Sequence, residues 1–272
     1  MNLESDLPSR ISSSSMRHWL AILGLFSVLW VPAEDGADKF VAAGIAEFAA
    51  AYQAWDGTRF GAAAELFQQA TTNAPNSSTC FYWLGAAQFH RMLQLQTLPA
   101  AATNQLGADA AMDAALAALS RAVQLNPQHA EAHALLGTLY GMKIDGNLLR
   151  AMRFGPRVQT HRNQALQFGA DNPRVRYLLG TCQFYTAKKP VAQREALASF
   201  LAAERLFAAE AQRAAGALEP RWGRGTCLTF IGRTYELLGQ RTEAADYFRQ
   251  ALAQHPADHA AKEGLARVTE TK

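Results

Sequence analysis

Arg224-Gly-Thr-Cys-Leu-Thr-Phe-Ile-Gly-Arg-Thr-Tyr-Glu-Leu-Leu-Gly-Gln-Arg-Thr-Glu-Ala-Ala-Asp-Tyr-Phe-Arg-Gln-Ala-Leu-Ala-Gln-His-Pro256 decides the fold. It reads as two amphipathic helices joined by a tight Leu238-Gly239-Gln240 turn and stopped by a proline. Gly232 marks a close crossing on the first helix, and Ala244 and Ala251 mark one on the second, because helices approach closely only over small side chains. Such a pair leaves one apolar face uncovered, so it is a unit for stacking on further pairs.

The unit recurs. Taking Ala51, Gly85, Gly137, Gly180 and Gly232 as the small residues of five first helices gives separations of 34, 52, 43 and 52. The excesses over 34 are 18, 9 and 18, multiples of two and a half helical turns, and this spacing allows helices to lengthen between units. Second helices align on Ala70, Ala122, Ala165, Ala203 and Ala251. Large residues such as Phe67, Phe200 and Phe248 fill the space between pairs, and Pro75, Pro127 and Pro256 set the turns. Unit three departs on its second helix, where Val158 and Arg162 stand in place of an alanine and an aromatic.

These markers resemble the tetratricopeptide repeat. They run as Ala63, Phe67, Ala70 and Pro75 in the first unit, then Phe81, Leu84, Gly85, Ala115, Leu119, Ala122 and Pro127 in the second. His133, Leu136, Gly137 and Tyr140 follow, then Leu179, Gly180, Ala196, Phe200 and Ala203, and last Ile231, Gly232, Tyr235, Ala244, Phe248, Ala251 and Pro256. The resemblance implies an all-α, right-handed superhelical solenoid of five hairpins, over about residues 44–77, 78–129, 130–172, 173–222 and 223–258. A capping helix would follow at 259–270 and a short flexible entry would precede at 34–43. Residues 93–112 are expected to form a loop leading into a long helix, and Gly155-Pro156 a break. The stretch from Arg153-Phe-Gly-Pro through Asp171-Asn-Pro-Arg-Val-Arg-Tyr-Leu-Leu-Gly180 to Phe184-Tyr-Thr186 is similar to a group of exported bacterial tetratricopeptide proteins with no assigned activity. Ala187-Lys-Lys-Pro-Val191 departs from that group, which carries glycines there.

The first 33 residues read as a signal peptide. Arg17 and His18 precede the apolar run Trp19–Val31, and Pro32-Ala33 closes it, so cleavage after Ala33 is predicted. The run is shorter than the roughly 20 residues a stable span needs; an uncleaved anchor is the alternative, and Met16 is a second candidate start. The resulting expectation is a periplasmic or secreted protein. Its three cysteines, Cys80, Cys182 and Cys227, cannot all pair and sit among apolar neighbours, which suits buried thiols.

A net charge of +3 over 272 residues is too small to imply nucleic-acid binding, which requires a dense basic stripe, and none is expected. No Gly-x-Ser-x-Gly elbow, phosphate loop or paired catalytic carboxylates occur, so no enzyme and no cofactor are expected. His129 and His133, and His255 and His259, lie at inter-repeat turns and read as turn chemistry, not metal ligation.

First helices of such repeats line a concave groove. Helical spacing puts Tyr52, Trp55, Tyr82, Phe89, His90, Arg174, Tyr177, Phe184, Tyr185 and Arg233 on or near that face, with Phe48 and Glu131 among them. Aromatics and arginines dominate binding hot spots, and the expectation is a protein-interaction scaffold of the bacterial envelope holding a peptide or protein there. The plainer alternative is that these rings pack between helices. A second function class is an accessory enzyme or small-ligand site in the insertions at 93–112 and 141–190. A third is membrane-surface contact through Arg150, Arg153, Arg157 and Arg162, whose plain reading is a solvated helix face.

Overall fold

The computed structural model describes residues 33–270. They form eleven helices: α1 Ala33–Ala54, α2 Gly57–Asn73, α3 Ser78–Thr97, α4 Ala102–Leu125, α5 Ala130–Ile144, α6 Leu148–Gly169, α7 Pro173–Thr186, α8 Pro190–Ala211, α9 Arg224–Leu237, α10 Arg241–Gln254 and α11 His259–Thr269. No strand occurs among the described residues. Consecutive helices pair as five hairpins, each leaning on the next, and α11 packs on α10 and α9. The segment expected to be a signal peptide lies, except for Ala33, outside the described residues.

Local chemistry sets the helix starts. Asp56, Ser77, Asn147, Asn172 and Asp258 cap α2, α3, α6, α7 and α11 by accepting first-turn backbone N–H groups. Pro173 and Pro190 open α7 and α8, where a missing N–H costs nothing. Three expectations are corrected. The entry at 34–43 is helical, because Ala37, Val41, Phe48 and Tyr52 extend one buried stripe along α1. The loop at 93–112 shrinks to residues 98–101, since α3 runs on to Thr97 and α4 starts at Ala102. Gly155-Pro156 does not break α6. A proline clashes with the Cβ of the preceding residue, and Gly155 has none; Pro156 itself is on the exposed side.

Tight glycine crossings hold four of the five pairs together. A Cβ on Gly180 would fall 2.6 Å from the Phe200 ring, and one on Gly232 would fall 2.8 Å from Phe248. Gly85 abuts Leu119 in the same way, and Gly264 of α11 presses on the other part of the Phe248 ring. In the first hairpin the glycine is Gly44, 2.5 Å in the same sense from Phe67, and not Ala51, which is simply buried core. The third hairpin is different. Around Gly137 the nearest atoms, on Val158, His161 and Arg162, stand 3.7 Å or more away. With no large ring to seat there, α6 buries only Ala165 completely.

Opposite signs are therefore expected for one substitution. Gly232→Ala should destabilise by about 1–2 kcal/mol, overpacking outweighing the helix-propensity gain. Gly137→Ala should be neutral or stabilise by up to about 1 kcal/mol. Denaturant unfolding of the two variants measures both.

Candidate functional site: a filled concave face

The ten groove residues divide by burial. Tyr52, Tyr82, Phe89, His90, Arg174 and Tyr177 are buried; Trp55, Phe184 and Arg233 are half-buried; Tyr185 alone is exposed, at 70%. The first six are thus not the lining of an open groove. Two parts of the chain cover them.

One part is the last hairpin. The Tyr52 hydroxyl, on α1, shares a 2.6 Å hydrogen bond with Thr226 of α9, and its ring sits edge-on to His255 at 4.6 Å. Trp55 ends α1 in the left-handed region, at φ 52°, and donates its indole N–H to Thr97 at 3.3 Å.

The other part is the segment 212–223 between α8 and α9, which crosses the inner face as a strap. Trp83 donates to the Leu218 carbonyl at 3.1 Å, and the buried Trp222 indole donates to the Tyr82 hydroxyl at 3.0 Å. Trp222 also stands edge-on to His90 at 4.9 Å. The strap is clamped on itself: Glu219 accepts from Arg213, Arg221 and the Gly216 N–H, and Arg213 holds its carboxyl down at about 2, against burial.

Beneath the strap lies a buried polar centre. Arg174, 2% exposed, donates to Glu131 at 2.7 Å and to both oxygens of Glu210, at 3.0 and 2.5 Å. Tyr82 donates to the second oxygen of Glu131, Asn172 donates to the first at 2.7 Å, and the Trp222 carbonyl accepts from Arg174 at 3.4 Å. Burial opposes the guanidinium charge, but the field of Glu131 and the hydrogen bonds of Glu210 outweigh it and hold the proton more firmly than in water. Burial first, then the Glu131 charge, raises the Tyr82 phenol well above its ordinary value. Every charged group here is spent on a neighbour, so the centre braces α3, α5, α7, α8 and the strap. An open polar depression of about 610 Å³ lies beside it, lined by Glu131, Asn172, Arg174, Glu210, Arg213 and Glu219.

Glu210 and Trp222 are not singled out by the sequence reading. Glu210 has a readable signal: it continues the stripe Ala196, Phe200, Ala203, Phe207 at helical spacing, so an acid falls where an apolar residue is due.

Phe184, Tyr185 and Arg233 form a separate cluster at the ends of α7 and α9. Arg233 lies over the rings of Phe184 and Phe230, at 4.9 and 5.1 Å, and Tyr185 stands edge-on to both rings at 5.4 and 5.9 Å. The histidines are structural. His129 caps α5 and stacks on Tyr82 at 4.7 Å. His133 donates from Nε2 to the Pro127 carbonyl, leaving Nδ1 to accept from Nδ1 of His161 at 2.9 Å. A narrow cleft of about 190 Å³ separates α6 from α5 and α7, with Thr138, Arg162, Cys182 and Gln183 on its walls. All three cysteines are free, and burial raises each thiol.

The stacked hairpins and their small-residue crossings define a tetratricopeptide-type helical-repeat protein. Residues 51–271 match the family model for regulator of microtubule dynamics proteins 1–3, and the chain belongs to that family. Its fold is similar to that of TTC0263, a thermophilic TPR protein of Thermus thermophilus, at 17% identity over 85% of this chain and 98% of that one, with a TM-score of 0.59. A chain of the APC/C hetero-tetramer Cut9–Hcn1 aligns at 15% identity over 88% of this chain and 39% of its own, with a TM-score of 0.55. No curated protein matches the sequence significantly.

Two outcomes follow from this core. Arg174→Met should cost about 3–5 kcal/mol, because two buried carboxylates lose their counter-charge; urea unfolding reads it. The second concerns acid. Burial lowers His90 to about 4, and burial with the nearby His133 and Arg157 charges lowers His161 to about 4. A histidine that protonates less readily folded than unfolded stabilises the fold above its unfolded value of about 6.5. That stability drains as pH falls from about 6.5 toward about 4. Melting temperature should drop by several degrees across that window, and His90→Phe should flatten the slope even if it lowers the curve.

Proposed function

We propose that the protein is a non-catalytic scaffold that binds a protein or peptide partner through the surface at the ends of α7 and α9. One observation carries the reading: the concave face is already occupied by the protein's own strap and last hairpin, while the Phe184–Tyr185–Arg233 cluster stays accessible. Tyr185 is 70% exposed and Leu237, one turn beyond Arg233, is 55% exposed. An arginine lying over two rings beside an exposed tyrosine supplies rigid area and directed donors, the usual makings of a hot spot. Catalysis has little support, since the strongly shifted groups owe their shifts to burial within a braced core. Membership of a family described as regulators of microtubule dynamics accords with action through contact with other proteins.

The setting we propose is the exported side of the bacterial membrane, on the strength of the apolar run before Ala33. A mature chain starting at Glu34 in the periplasmic fraction supports this; full-length protein confined to the cytoplasm rejects it. A second reading, a small-ligand site, draws on the cleft between α5, α6 and α7, where the Gln183 Oε1 atom is buried without a partner among the described residues. Its volume falls below the roughly 300–1,000 Å³ usual for such sites.

The Tyr185→Ala/Arg233→Gln variant should lose at least about tenfold in partner capture by crosslinking in cells, as expected for a hot-spot pair. Its melting temperature should stay within a few degrees of wild type. Tyr82→Ala should instead unfold the core, so capture lost only with stability would reject this surface.

A further inference from the structure

The first turns of α6 carry an unused surface. Leu148 and Leu149 are each 76% exposed and Met152 is 71% exposed, three large apolar side chains within five residues. With Pro156 they fall in an arc of about 100° on the helix, on the side away from Phe154, Val158 and Ala165, which face the protein. Arg150, Arg153 and Arg157 occupy the next part of the circumference, within about 60°. No Asp or Glu occurs from Gly146 through Ala170. Among the described residues, none of Arg150, Arg153, Arg157 and Arg162 joins an ion pair. Arg153 and Arg157 lie over the rings of Phe154 and Tyr140, at 5.2 and 5.3 Å, which leaves their outward donors free for an anion. The left-handed pair Asp145 and Gly146 turns the chain sharply before α6, so the apolar residues project as a convex knuckle.

We propose that this knuckle docks on an anionic lipid bilayer, with Leu148, Leu149 and Met152 entering the interface and Arg150, Arg153 and Arg157 meeting headgroup phosphates. An apolar strip bordered by arginines is the pattern of a helix lying in the plane of a membrane. Its charge is complementary to anionic lipid, each arginine near the surface contributing roughly a fivefold gain in binding. Side chains that protrude from a convex turn suit a soft acyl layer better than a pocket on a folded partner. The helix can yield to such contact, since Ala165 is its one fully buried residue. An acidic protein is the competing occupant, and it would be held by charge without the apolar trio.

The test uses the full-length chain with vesicles of phosphatidylcholine and phosphatidylglycerol in an about two-to-one ratio, and with phosphatidylcholine vesicles alone. Hydrogen–deuterium exchange at residues 147–157 gives a local readout, so binding by the N-terminal apolar run does not enter it. Anionic vesicles should slow exchange there and neutral vesicles should not. Leu149→Ser/Met152→Ser and Arg150→Gln/Arg153→Gln/Arg157→Gln should each weaken that protection by at least about tenfold. Melting temperatures should hold, because every substituted side chain is exposed. Unchanged exchange with anionic vesicles overturns the proposal. So does protection that survives Leu149→Ser/Met152→Ser, or that soluble polyglutamate reproduces, since either result assigns the surface to an acidic polymer.

Discussion

One guanidinium ties the fold together. Arg174 sits between Glu131 of α5 and Glu210 of α8, almost wholly out of water. An isolated charge at that depth is prohibitive, and a pair is worthwhile only when its remaining donors and acceptors are satisfied. The site meets that condition: Tyr82 and Asn172 complete Glu131, and the Trp222 carbonyl caps the arginine. Because the partners come from three consecutive hairpins and the strap, the hairpins are set in register by directional bonds as well as by greasy contact. Apolar stacking alone would permit small slides between units; a fork of fixed donors does not.

The same logic explains why the third hairpin looks loose. Elsewhere a glycine admits a phenylalanine or leucine from the partner helix, and that ring then packs on the following unit, as Phe67 stacks on Trp83 at 5.5 Å and Phe200 on Phe230 at 5.4 Å. Val158 and Arg162 cannot bridge in this way. The gap left behind is the cleft beside α6, and the exposed outer side of that helix is its counterpart. Packing lost on one face has become surface available on the other.

Much of the architecture could be read from spacing. The Gly232–Phe248 crossing, the proline-stopped hairpins and the terminal cap all rest on contacts close in sequence, which periodicity reports directly. Even so, a 34-residue period favours Ala51 over Gly44, which is the wrong small residue for the first crossing. The candidate site is harder. Helical spacing shows that Tyr52, Tyr82, His90 and Tyr177 share a face; it does not show that Trp222 and Thr226 come back to cover it. Tyr52 and Thr226 meet across 174 positions, and no local pattern encodes that return. Of the ten groove residues, only Arg233, Phe184 and Tyr185 stay together where a visitor can reach them.

The Tyr52–Thr226 contact changes what kind of object this is. Ordinary repeat arrays behave as open rows, whose terminal members peel away without disturbing the middle. Here the opening and closing hairpins hold hands across the hollow, more hoop than row. Lifting the closing hairpin away would bare the Tyr52 ring of the opening one, so the two ends are linked through that side chain as well as through the units between them.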